Sequence, residues 1–291
     1  MGVNCSCFSI RKVLGGTPDA EKVTISSAQI LFIMRYFTKL VDVAMLLASA
    51  MTASAEKVQT VVNHMMYEID TETREAKLLQ GVNSSYVEIP SGILVEGECY
   101  TVTELGDGCF DGFYMLDQVI IPNSVRKIGP RSFYGCSSLF EITIPISVTE
   151  LGDACFCLCP IWHIELPFSL EIIGEACFAS CDNLQSIFIP ESVKSIGYAC
   201  FQGCNSLCRM NVSSSNTVYD SRNDCNAIIK TSTNCLVSGC QATIIPNSVT
   251  EIGSCAFNLL SSLTDIEIPA SVKKIGYAAF DGSGLRGGGH S

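Results

Sequence analysis

Seven phenylalanines, Phe110, Phe133, Phe156, Phe178, Phe201, Phe257 and Phe280, recur along the chain at spacings of 23, 23, 22, 23, 56 and 23 residues. An Ile-Gly or Leu-Gly pair precedes each by four to five residues, as Ile196-Gly197 precedes Phe201. Ile-Pro or Leu-Pro pairs fall between the beats, at 121–122, 144–145, 166–167, 189–190, 245–246 and 268–269. A fixed period of this length specifies a solenoid, because one such unit buries its apolar face only against its neighbours.

The turn LQSIFIPESVKSIGYACFQGC, residues 184–204, shows how one unit is built. Leu184, Ile187 and Ile189 end in the alternation of a short strand. Pro190 then stops it, having no amide hydrogen to give a ladder. Val193 and Ile196 form a second apolar pair, and Gly197 suits a place where a side chain would crowd the backbone. Small residues around Phe201 read as one helical or 3₁₀ turn, too short to stand alone. Stacking is expected to pair the Leu-x-x-Ile-x-Ile strands in parallel, about 4.8 Å apart.

The pattern Leu-x-x-Ile-x-Ile-Pro-x-Ser-Val-x-x-Ile-Gly-x-x-Ala-Phe-x-x-Cys, carried by 139–159, 184–204 and 263–280, resembles the BspA-like leucine-rich repeat family. The resemblance covers residues 86–281. It implies an α/β leucine-rich repeat solenoid with parallel strands stacked every 22–23 residues, joined by short helical or 3₁₀ turns. It also implies an exported, non-enzymatic role in surface adhesion, with a host extracellular-matrix protein or another microbe's surface as partner. The long gap holds an irregular segment at 209–243, similar to a variant repeat of that family. Its strand-like runs at Thr217–Tyr219, Ala227–Ile229 and Cys235–Val237 read as a β-hairpin-like excursion from the stack.

Residues 34–55 carry Arg35 and Lys39, an apolar run over Leu40–Ala50, and Ala53-Ser54-Ala55, the layout of a signal peptide with translation starting at Met34. The run is too short to span a bilayer, so no integral membrane segment is expected. Residues 1–33 stay open between an extension upstream of the true start and an acylated MGVNCS terminus. Residues 56–85, with alternation on both sides of Thr71–Thr73, read as an N-terminal β cap over the first turn's open edge. A Gly-rich tail, 282–291, stops within a repeat. That suggests a second reading, a structural or assembly module docking through its uncapped last turn.

A net charge of −11 with no basic stripe argues against nucleic acid. Of the seventeen cysteines, Cys109, Cys155, Cys177 and Cys200 directly precede a beat phenylalanine, and Cys136, Cys159, Cys181 and Cys204 follow one by three. These read as small buried packing positions holding free thiols. Cys225, Cys235 and Cys240 lie off that register and are the better disulfide candidates. CFCLCPIWH, 155–163, looks metal-like, yet the period already explains Cys155 and Cys159, leaving only Cys157 and His163. No catalytic motif is present, so no catalytic residue, metal or cofactor is expected. The remaining candidate is a protein-binding surface on the outward strand positions. The residue between the two isoleucines gives Ile120, Thr143, Glu165, Phe188, Ile244 and Glu267, and the position two earlier gives Gln118, Glu141, His163, Ser186 and Asp265. Ile120 and Phe188 are apolar where solvent exposure is expected.

Overall fold

The computed structural model describes residues 57–286; the signal-peptide reading at 34–55, both readings of 1–33 and tail residues 287–291 lie outside them. The N-terminal cap read from the alternation near the start forms three antiparallel strands, Lys57–Val62, Met65–Asp70 and Glu75–Gln80. Glu75–Gln80 then pairs in parallel with Glu98–Leu105. From there a parallel ladder runs through Lys127–Ile128, Glu150–Leu151, Ile172–Ile173 and Ser195–Ile196.

These ladder strands are the residues just ahead of each repeat glycine. A Cβ on Gly152 would stand 2.4 Å from the Pro130 nitrogen and 2.6 Å from the Gly129 carbonyl carbon. Without one, the Gly152 N–H reaches the Ile128 carbonyl at 2.8 Å, and the same bond recurs from Gly174 to Leu151 and from Gly197 to Ile173. The glycine therefore sets how closely successive turns approach.

The Leu-x-x-Ile-x-Ile strands, expected to carry the sheet, pair only in pieces. Tyr86–Glu88 pairs with Gln118–Ile120, Ser186–Ile189 pairs with Arg209–Val212, and one bridge joins Glu141 to His163. No strand pairing joins 118–120 to 141–143. The inward positions are still buried, as at Leu184, Ile187 and Ile189. In the 263–269 segment only Leu263 is buried, and Ile268 is exposed because no further described turn covers it.

At each phenylalanine the chain makes the short three-residue turn bonds expected, such as Cys157 N–H to the Ala154 carbonyl and Cys159 N–H to that of Phe156. They do not extend into a helix. The residues two before and two after the phenylalanine have positive φ, for instance Ala154 at 50° and Leu158 at 62° around Phe156, and alternating hand cannot propagate. Instead the N–H groups of Ala154, Phe156 and Leu158 all point to carbonyls of the next turn, those of Glu175, Cys177 and Ala179. The rings stack face to face inside, Phe110 on Phe133 at 5.2 Å and Phe133 on Phe156 at 5.4 Å, continuing through Phe178 to Phe201.

Residues 209–243 do contain a hairpin, with Ala227–Lys230 antiparallel to Cys235–Gly239. It does not leave the stack. Cys235 and Leu236 pair in parallel with Glu251 and Ile252, which pair in turn with Lys274 and Ile275. The hairpin thus repeats the arrangement at 65–80, down to the glycine that ends it. A Cβ on Gly81 would meet the Phe110 ring at 2.0 Å, and one on Gly239 would meet the Phe257 ring at 2.1 Å. Each phenylalanine stack begins on the bare backbone of such a glycine, and the second stack, Phe257 on Phe280 at 5.0 Å, has its own buried cluster.

Candidate functional site

The outward column of the Leu-x-x-Ile-x-Ile strands is exposed at Gln118, Ile120, Glu141, Thr143, His163, Glu165, Phe188, Ile244, Asp265 and Glu267, while Ser186 is half-buried. Strand pairing aligns Gln118 with Tyr86, Ile120 with Glu88, Glu141 with His163, Ser186 with Arg209 and Phe188 with Asn211. Tyr86, Glu88, Arg209 and Asn211 therefore belong to the same face, although the sequence reading omitted them. Ile120 is 42% exposed, Phe188 48% and Ile244 72%.

More apolar surface lies on either side. The residue after the first inward position is Phe140 behind Leu139 in one turn and Trp162 behind Ile161 in the next, and the Trp162 backbone N–H donates to the Phe140 carbonyl at 3.2 Å. The residue after the Pro is Ile146 in one turn and Phe168 in the next, both strongly exposed. The register could have identified these four, since the same two positions hold Asp117, Gln185, Asn123 and Glu191 in other turns. Exposed apolar side chains gathered on one face mark a contact surface more often than the same number scattered.

Between 117–123 and 140–145, where strand pairing is missing, a groove of 600 Å³ opens on this face. Asp117, Gln118, Ile120, Phe140, Glu141 and Thr143 are among its lining residues.

Charge separates this face from the glycine-side ladder. There, Lys77 meets Glu104 at 2.8 Å, Lys127 meets Glu150 at 3.0 Å, Lys194 meets Glu171 at 2.7 Å, and Lys274 meets Glu251 at 2.7 Å, with Arg126 on Glu75 as a further pair. Cross-strand pairs of this kind tie turns together and neutralise one another. On the outward column Glu165 faces only His163, at 3.6 Å, and Glu141, Asp265, Glu267 and the neighbouring Asp117 meet no cation among the described residues.

The thiols take no part in this face. Cys136, Cys159, Cys181 and Cys204 each donate Sγ–H to the carbonyl of the phenylalanine one turn back, at 3.1, 2.9, 3.1 and 3.0 Å. Burial pushes the Cys109, Cys136 and Cys204 thiols up to about 12 and raises Cys159, Cys177, Cys181 and Cys200 as well. A thiol held protonated is a poor nucleophile and a poor metal ligand. All fifteen described cysteines are free, including the disulfide candidates Cys225, Cys235 and Cys240. The three thiols lie against different carbonyls, those of Ala227, Leu236 and Asn226. In the 155–163 segment, Cys155 and Cys159 turn into the core while His163 stands on the outward column. No group of three metal-ligating side chains comes together among the described residues.

A family model described as the BspA type leucine rich repeat region matches six copies, over residues 103–226 and 230–286. A leucine-rich repeat protein from Bacteroides ovatus shares 28% identity and superposes with a TM-score of 0.59. That match covers 78% of this chain and 57% of the relative, so the chain spans little more than half its length. The T. pallidum leucine-rich repeat protein is 24% identical, with a TM-score of 0.54 over 77% of this chain and 89% of its own. A leucine rich cell surface protein from Faecalibacterium prausnitzii is 21% identical, with a TM-score of 0.55 over 78% of this chain and 75% of its own. The last two likenesses bear on the fold alone. No curated protein matches the chain.

Proposed function

The chain belongs to the BspA type leucine-rich repeat family, and on that premise we propose that it is an exported, non-enzymatic protein-binding scaffold acting through its outward strand face. The contrast between the two ladders carries this reading. One has its charges paired, whereas the other presents Ile120, Phe140, Trp162 and Phe188 beside Asp117, Glu141, Asp265 and Glu267, which meet no cation among the described residues. Apolar anchors within a polar surround are what protein interfaces use for affinity. Adhesion to extracellular-matrix or microbial surface proteins is the form of binding we assign. The leader-like residues 34–55 support export.

The test is binding of the full chain to a panel of immobilised extracellular-matrix proteins, compared with the variants Phe188→Asp and Glu165→Arg. Loss of a tenfold or greater share of affinity, with the circular dichroism spectrum unchanged, is the expected result. Full retention by both variants of whatever the wild type binds would overturn the assignment of the face.

A further inference from the structure

Resting on that reading of the face, we infer that the groove between 117–123 and 140–145 receives a lysine or arginine side chain of the protein ligand. The groove lies where the adjacent segments 118–120 and 141–143 do not pair. Its volume of 600 Å³ exceeds what one basic side chain fills, leaving room for the neighbouring backbone of an extended segment. Ile120 and Phe140 offer apolar surface to a long aliphatic stem, while Asp117 and Glu141 offer two carboxylates to its head. This division, a greasy stem with a charged tip, is peculiar to lysine and arginine among the side chains. The Phe140 ring adds an electron-rich face for the cation.

Other occupants fit worse. An acidic ligand would meet Asp117 and Glu141 with like charge, and no lysine or arginine lines the groove to answer it. A purely apolar ligand would strip water from two carboxylates without supplying a counter-charge, which is costly. A metal ion lacks a third ligand, since no such triad forms among the described residues. The cation belongs to a protein rather than to a free amine because the exposed apolar positions continue past the groove, through Trp162 in the next turn to Phe188 in the one after. An extended segment crossing the turns meets all three.

Isothermal titration of the full chain with the blocked peptide Leu-Lys-Val-Lys-Leu tests this directly. Binding is expected that weakens at least tenfold when both lysines are acetylated, in the double variant Asp117→Asn, Glu141→Gln, and when salt rises from 50 to 500 mM as screening sets in. Equal affinity for the acetylated peptide, or for the double variant, overturns the inference. So does equally tight binding of free lysine amide, which would make the groove a small-amine site. The variants Phe188→Asp and Glu165→Arg separate the two claims. If they abolish retention of a matrix protein while the peptide fails to bind the wild type, the groove inference falls and the face stands; if they leave matrix retention unchanged while the peptide binds as expected, the groove stands and the wider face falls.

Discussion

Replacing Gly197 by alanine isolates the constraint that closes the stack. The new methyl would lie 2.3 Å from the Glu175 nitrogen, 2.4 Å from the Gly174 carbonyl carbon and 2.6 Å from the Glu175 Cα. All three are backbone atoms, so no rotamer change relieves the clash. Restoring van der Waals separation means parting two turns by roughly 1 Å, an overpacking cost of about 1–3 kcal/mol. The same displacement stretches two 2.8 Å bonds, Gly197 N–H to the Ile173 carbonyl and Lys194 N–H to that of Glu171. At about 1 kcal/mol net for each bond, the expected total is roughly 3–5 kcal/mol. That is a large share of the ~5–15 kcal/mol that holds a typical domain together. Gly112→Ala is the matched control, because its Cβ meets nothing within 4 Å and only its φ of +70° opposes a side chain. It should cost about 1–2 kcal/mol. Urea denaturation followed by circular dichroism reads both. A Gly197→Ala loss below about 1 kcal/mol, or one no larger than that of Gly112→Ala, would refute the claim that these glycines set the turn spacing.

Phe156→Ala removes a ring with no solvent exposure, held between Phe133 at 5.4 Å and Phe178 at 5.6 Å, and should cost about 3–5 kcal/mol in the same urea assay. Gly239→Ala should also destabilise, since its Cβ would strike the Phe257 ring at 2.1 Å; amide exchange should then quicken at 251–252 and 274–275 more than at 127–128 and 150–151, and uniform quickening would count against a separate second stack. Stability should fall in alkali, because burial holds Cys109, Cys136, Cys204 and Tyr67 at about 12 in the folded chain, above their ordinary values of about 8.5 for the thiols and 10 for the phenol. Groups raised in this way contribute their stabilisation fully below the unfolded value and lose it as pH climbs through the folded one. The urea midpoint should therefore hold from pH 7 to 8 and drop between pH 9 and 12, and a flat profile to pH 11 would contradict the buried-thiol account.

Much of the scaffold was legible because the period forces equivalent residues into columns. The phenylalanine stack, the two thiol columns and the buried Leu-x-x-Ile-x-Ile positions all follow from register. Register alone does not say which of two strands in a turn makes the ladder. Both Ser186–Ile189 and Ser195–Ile196 look extended, and only the second has a glycine beside it to bring backbones together. The insertion was read as leaving the stack because it lacks a beat phenylalanine. Its likeness to the first hairpin shows only in space, where Gly239 takes the place of Gly81. On the outward face, Ile120 and Phe188 stand out by breaking a polar pattern, whereas Phe140, Trp162, Ile146 and Phe168 sit beside that column, at positions the alternation does not single out. The groove could not be read at all, since it lies between two turns of ordinary sequence whose strands do not pair.

Hydroxyl-radical footprinting of the full chain, with and without a matrix protein that it retains, tests the central claim most directly. If the outward strand face is the binding surface, oxidation of Phe140, Trp162 and Phe188 falls on binding while the exposed Tyr198 and Tyr277 on the glycine side react as before. Protection of Tyr198 and Tyr277 with unchanged labelling of Phe140, Trp162 and Phe188 would contradict it.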